Sequence, residues 1–127
     1  MPGMIKTLVV DDSPTSRAIV ARLIDQDCSI VQASSGVEAL GLLGSGEFDL
    51  LLLDLLMPGM DGKAVLAAMR ERGIAVPVVV ITADIQERTK ASLTELGASV
   101  VANKPLTRAK LVAAIGEALA SHRGLSS

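Results

Sequence analysis

Asp49-Leu50-Leu51-Leu52-Leu53-Asp54 is the stretch on which the fold turns. Four consecutive leucines are too few to span a bilayer, and they suit a strand covered on both faces, as in a parallel sheet. Asp54 follows at once, and Met57-Pro58-Gly59 then ends the strand and opens a loop. An acid at the exit of so apolar a strand sets a carboxylate at the rim of a sheet. Alone, such a residue is most often a helix cap or a turn former, so the remaining strands must decide its meaning.

Upstream, Ile5 to Val10 is an apolar run broken only by Lys6 and Thr7, and it ends in Asp11-Asp12. Ser13-Pro14 then opens a helix, with Ser13 as cap and Pro14 where a missing N–H costs nothing. Its inward stripe reads Ile19, Val20, Leu23 and Ile24, with Arg17, Arg22 and Asp25 turned outward. A weaker strand covers Ser29 to Ala33. Ser35-Gly36-Val37-Glu38 has the form of a capping box, continued by Val37, Leu40 and Leu43 as far as Gly44-Ser45-Gly46.

Downstream, a helix from about Asp61 carries Val65, Leu66 and Met69 and closes at Gly73. Pro77 to Thr82 is a β-branched strand. Asp84 reads as the cap of a largely polar helix, with Glu87 three positions on and Ile85, Leu93 and Leu96 inward. A fifth strand, Ala98 to Ala102, follows, and Asn103-Lys104-Pro105 turns the chain. Thr107 caps a last helix with Leu111, Val112, Ile115 and Leu119 on one face; Ser121 to Ser127 reads as a frayed tail with a solvated His122. Strand and helix alternate five times, which means right-handed βαβ units and a parallel sheet with helices on both faces.

Composition bounds the function. At 127 residues the chain is one domain, half of it apolar, with Phe48 the single aromatic. A net charge of −2 with both signs dispersed offers no basic stripe for nucleic acid. A single cysteine, Cys28, excludes an internal disulfide and fits a reducing compartment. With no signal-like apolar run at the start and no segment long enough to span a bilayer, the expectation is a soluble, cytoplasmic protein.

Parallel strands share a direction, so their carboxyl ends line one edge, where open α/β sheets bind ligands. At those ends stand Asp11 and Asp12, then Asp54, Thr82 and Lys104; the second strand contributes Ala33-Ser34 and no charge. Neighbouring carboxylates about 4 Å apart repel by roughly 4 kcal/mol at an effective dielectric near 20, more than Lys104 alone offsets. A divalent cation offsets it, and an oxygen-only ligand set favours Mg²⁺. One carboxylate then serves as nucleophile toward a phosphoryl group, forming an acyl phosphate, with Lys104 and Thr82 on the remaining oxygens.

These residues resemble a family. Val9-Val10-Asp11-Asp12-Ser13, Asp54 with Met57-Pro58-Gly59-Met60-Asp61-Gly62, Thr82-Ala83, and Lys104-Pro105 are similar to the signature of the receiver domain of bacterial two-component response regulators. The likeness spans residues 4 to 120 and is closest in form to stand-alone, chemotaxis-type (CheY-like) receivers. It implies a flavodoxin-like (βα)5 doubly wound sheet of strand order 2-1-3-4-5. It implies that Asp54 accepts phosphate from a sensor histidine kinase or phosphotransfer protein, in a signalling protein that catalyses only its own phosphoryl transfer and hydrolysis. By the same resemblance Asp12, Asp54 and the backbone carbonyl of Leu56 bind Mg²⁺, with Asp11 acting largely through water. Thr82, the Ala83 N–H and Lys104 hold the phosphoryl group, and the peptide before Pro105 is cis. The output partner is expected on helix four, strand five and helix five of a monomer or weak dimer.

The chain departs from the family at one switch position, where an aromatic is replaced by Val101. A valine lacks a long-lever rotamer change, so signalling is expected to use backbone shifts around Thr82 to Asp84 or a different face. Leu56 and Asp84 stand two residues beyond the acceptor and the threonine, where the family tunes hydrolysis; an apolar Leu56 is expected to slow phosphate loss. Three other readings compete. A flavin-binding module needs Ser/Thr/Gly after the first strand and aromatics, and an Asp-nucleophile phosphatase needs a second carboxylate where Leu56 stands. A pseudo-receiver, which only mediates interactions, would lack part of the acceptor set.

Overall fold

The computed structural model describes residues 4–83 and 86–126, by backbone alone from 122 onward. Ten elements alternate: β1 (Ile5–Val10), α1 (Pro14–Ile24), β2 (Cys28–Ala33), α2 (Gly36–Leu43), β3 (Leu50–Asp54), α3 (Gly62–Glu71), β4 (Val78–Thr82), α4 (Glu87–Glu95), β5 (Val100–Asn103) and α5 (Arg108–Ser126). The strands form one parallel sheet in the order β2-β1-β3-β4-β5, the flavodoxin-like arrangement expected from the resemblance.

The leucine run sits at the centre of this sheet, between β1 and β4, with all five residues of β3 buried. Strand periodicity divides its side chains between two cores. Leu51 and Leu53 join Leu8, Val10 and Val80 under α2, α3 and α4, where Leu40, Val65, Leu66 and Leu93 meet them. Leu50 and Leu52 join Val9, Val79 and Ile81 under α1 and α5, against Val20, Ile24, Leu111 and Ile115. A continuous apolar run is thus what a strand covered on both faces requires. Cys28 opens β2 in the second core, where burial pushes its thiol pKa up.

Several helix faces differ from the periodic reading. Ile19, Val37 and Val112, expected inward, are 56, 69 and 41% exposed, while Ala39, Ala114 and Ala118 are buried in their place. Alanines occupy these sheet-facing positions, while branched chains such as Val20, Ile24, Leu40 and Leu111 fill the rest of the same helix faces. Ser35 caps α2 through the Glu38 N–H, but the Glu38 carboxylate turns to the N–H of Ser34, one residue before the cap, so the reciprocal box is shifted. The cap position of α4 is Gln86; Asp84 and Ile85, read from sequence as cap and inward residue, lie outside the described residues. The α5 backbone is helical through Ser126 where a frayed tail was expected, and the side chain of His122 lies outside what is described.

Candidate functional site

The site is assembled by strand register. Val10 pairs with Leu53 and Asp54 with Ile81, so Asp11, Asp54 and Thr82 leave the sheet at nearly one level. Beyond β1 the chain turns sharply. The Ser13 N–H donates to Asp11 Oδ1 at 2.9 Å, and the Ser13 hydroxyl accepts from the Ser16 N–H, as Ser13 and Pro14 predict for a capped start of α1. Arg17, expected to face solvent, folds back instead. Its Nη1 donates to the Asp11 carbonyl at 2.6 Å and its Nε to Gln32 Oε1 at 3.1 Å, tying the β1–α1 turn to β2.

Beyond β3, Met57 is buried in the first core and pulls the loop inward, while Leu56 stands 72% exposed. The loop closes where Asp61 caps α3 and the Gly62 N–H donates to the Leu55 carbonyl at 2.9 Å. A Cβ on Gly62 would lie 2.9 Å from Leu55 Cα and 3.0 Å from the Asp54 carbonyl oxygen, so only glycine permits this approach to the strand end. Beyond β5, the Lys104 N–H donates to the Thr82 carbonyl at 2.9 Å, and the Lys104–Pro105 peptide is cis.

One carboxylate oxygen from each of Asp11, Asp12 and Asp54 falls within 4.8 Å of the others. Asp11 and Asp54 are buried and Asp12 is exposed. Lys104 Nζ stands 3.5 Å from Asp54 Oδ1. Burial first, then the Asp11 carboxylate, push the Asp54 carboxyl above its ordinary value; Lys104 pulls it back and Asp12 adds a smaller push. One ammonium therefore faces three acids, and its attraction does not cancel what burial and Asp11 impose. Between α1 and the β5–α5 connection a recess of about 470 Å³, lined by Val9, Ser16, Val20, Ile81 and Leu106, opens onto Asp54 and Lys104. The donors are hard oxygens with no histidine or cysteine in the cluster, a set that fits Mg²⁺ and not a softer metal.

Asp11, Asp12, Asp54 and Lys104 thus converge, with Thr82 buried at the neighbouring strand end and Ala83 exposed just past it. Val101 packs half-buried against the first core from β5. Arg17 was missed as a site residue because its partner, a backbone carbonyl six residues earlier, leaves no mark in side-chain pattern.

Residues 7–116 match the response regulator receiver domain family. The transcriptional regulatory protein CiaR of Streptococcus pneumoniae is 38% identical over 102 residues, covering 80% of this chain and 46% of CiaR. PcoR of Escherichia coli, also a transcriptional regulatory protein, is 32% identical over 108 residues, covering 85% of this chain and 48% of PcoR. The chain spans about half the length of these curated relatives. Among solved structures, the chemotaxis response regulator CheY4 of Vibrio cholerae superposes with a TM-score of 0.85 at 28% identity, over 92% of this chain and 100% of the CheY4 chain. The receiver domain of Francisella response regulator 1452 gives 0.84 at 25%, over 94% and 98%. Likeness to chemotaxis proteins comes from the CheY4 fold; the two curated relatives are regulators of transcription. With the match running from β1 into α5 and the acidic cluster at the carboxyl edge of a 2-1-3-4-5 sheet, the chain belongs to the response regulator receiver domain family of two-component systems.

Proposed function

We propose that Asp54 accepts a phosphoryl group from the phosphohistidine of a sensor kinase or phosphotransfer protein, and that the modified domain signals through a protein-binding surface. The observation that carries this is the position of Asp54: buried at the end of β3, beside Asp11 and Asp12, with the Lys104 ammonium, the one cation paired with it among the described residues, at 3.5 Å. In the transfer, an Asp54 carboxylate oxygen bonds to phosphorus as the P–N bond to the imidazole breaks, and the imidazole leaves with the electron pair and takes up a proton.

Asp12, Asp54 and the Leu56 carbonyl would hold Mg²⁺ directly, with Asp11 bound through water, and the ion would supply the positive charge that the carboxylates and incoming phosphoryl oxygens lack. Lys104 pairs with one phosphoryl oxygen, while the Thr82 hydroxyl and the Ala83 N–H donate to others. Filling the site draws Thr82 and Lys104 toward Asp54. These residues end β4 and β5, so the change passes to the face formed by α4, β5 and α5, where a downstream protein binds. Val101 offers no swinging ring, and the backbone joining Thr82 to Lys104 N–H carries the coupling. A cytoplasmic setting, where such kinases present phosphohistidine, accords with the described residues holding no helix long and apolar enough to cross a membrane.

The test is incubation with acetyl phosphate and Mg²⁺, followed by intact mass and peptide mapping. The wild type gains one labile phosphate on Asp54, and Asp54→Asn gains none there. A wild type that stays unmodified, or a label on another residue, refutes the reading.

A further inference from the structure

Lys110 stands in the first turn of α5, a turn that holds no acid. A cation there meets the positive end of the helix dipole, a placement that needs an offsetting contact. The contact is specific. Lys110 Nζ donates to the carbonyls of Asn103 and Pro105, each at 2.8 Å, the two peptide oxygens that bracket Lys104. On its other side the Lys104 N–H donates to the Thr82 carbonyl at 2.9 Å. The backbone from which Lys104 springs is therefore held by three hydrogen bonds, two of them from one ammonium.

The side chain of Lys104 is 41% exposed, so its long, flexible stem is only partly held by packing and its aim at Asp54 also depends on that backbone. Pro105 brings no N–H with which the connection could brace itself. The other cation of the same turn, Arg108, is engaged with the Leu23 carbonyl and Asp27, and does not reach this connection.

We infer that Lys110 is a positioning residue: it clamps the β5–α5 connection so that the Lys104 ammonium meets the phosphoryl group at Asp54. This rests on the reading of Asp54 as the acceptor. The step it serves is the same phosphoryl transfer, and Lys110 itself touches neither the donor nor Asp54.

The experiment measures phosphorylation rate against acetyl phosphate concentration at saturating Mg²⁺ for the full chain. The variants are Lys110→Met, Lys110→Arg, Lys104→Met and the Lys104→Met/Lys110→Met double, with Arg22→Met as a surface control. Displacing one phosphoryl-binding group by a fraction of its length is expected to lower the maximal rate about tenfold in Lys110→Met. Mg²⁺ affinity, titrated without phosphodonor, stays at the wild-type value, and Lys110→Arg recovers most of the rate. In the Lys104→Met background, Lys110→Met adds no further loss, because the group it aims is already gone. Thermal unfolding of each variant separates loss of fold from loss of aim.

A wild-type rate in Lys110→Met, losses that multiply in the double variant, or an arginine no better than methionine would each overturn the inference while leaving Asp54 as acceptor. Absence of phosphate on the wild type would overturn both.

Discussion

The strand at the centre of the sheet has an aspartate at each end, and the two live in opposite conditions. Asp49, at the entrance, is exposed. Its carboxylate accepts from the Lys6 N–H at 2.9 Å, its own N–H donates to the Lys6 carbonyl at 2.8 Å, and the Lys6 ammonium is 2.8 Å from Glu47. Asp54, at the exit, is buried, shares its space with two more acids and has one ammonium at 3.5 Å. Same residue type, one just before and one at the end of the same strand, five positions apart: the difference is direction. In a parallel sheet every strand ends on one edge, so acids at strand ends accumulate there, while an acid at a strand start is answered locally and in water.

Variants at the two ends should separate sharply. Asp54→Asn abolishes phosphate incorporation from acetyl phosphate and Mg²⁺, whereas Asp49→Asn incorporates at the wild-type rate; mass spectrometry reads both. Next in size is Gly62→Ala, whose Cβ would press on Leu55 Cα and the Asp54 carbonyl; urea unfolding should show a loss of about 1–3 kcal/mol. At the entrance, Asp49→Ala removes a hydrogen bond to a charged acceptor and should cost about 1 kcal/mol with no change in phosphorylation. Smallest in stability is Leu56→Asn, an exposed change expected within about 0.5 kcal/mol of wild type. Its effect is kinetic: a polar side chain beside Asp54 admits water, so phosphate is lost faster, and an unchanged decay rate would remove Leu56 from control of lifetime.

The sheet and the acid at its centre were legible because β-branched and leucine runs bounded by Gly and Pro have one comfortable conformation, and parallel connection then dictates which ends meet. Asp11, Asp54 and Lys104 follow from that alone. Helix faces were half legible. Val37 and Val112 outrank Ala39, Ala114 and Ala118 on any hydrophobic scale, yet the valines are exposed and the alanines buried, because the phase of each helix decides which residues meet the sheet. The braces around the site were not legible: Arg17 and Lys110 both bind backbone carbonyls, and a carbonyl has no residue type to read. A cation in the first turn of α5, a turn with no acid of its own, was the signal available for Lys110.

The exit end also carries a pH signature that the entrance lacks. Burial and Asp11 raise the folded-state pKa of Asp54 above its ordinary 3.8, so the folded protein holds that proton more tightly than the unfolded chain. The contribution of this carboxyl to stability is therefore greatest in acid, and it declines as pH rises from about 3.8 through the folded-state pKa. Asp54→Asn removes that decline, and the gap between its unfolding free energy and that of wild type should widen with pH across this range.

Thermal unfolding of wild type and Asp54→Asn at neutral pH, in EDTA and then in Mg²⁺, tests most directly whether the exit end is short of positive charge. In EDTA the asparagine variant should be the more stable, since it lacks the buried charge that burial and Asp11 disfavour. Saturating Mg²⁺ should raise the wild type more than the variant, since binding to the folded state alone adds to its stability and the variant has lost a ligand. A wild type more stable than Asp54→Asn without metal, or one indifferent to Mg²⁺, would show that the carboxylates at the exit are already balanced, and would contradict the account.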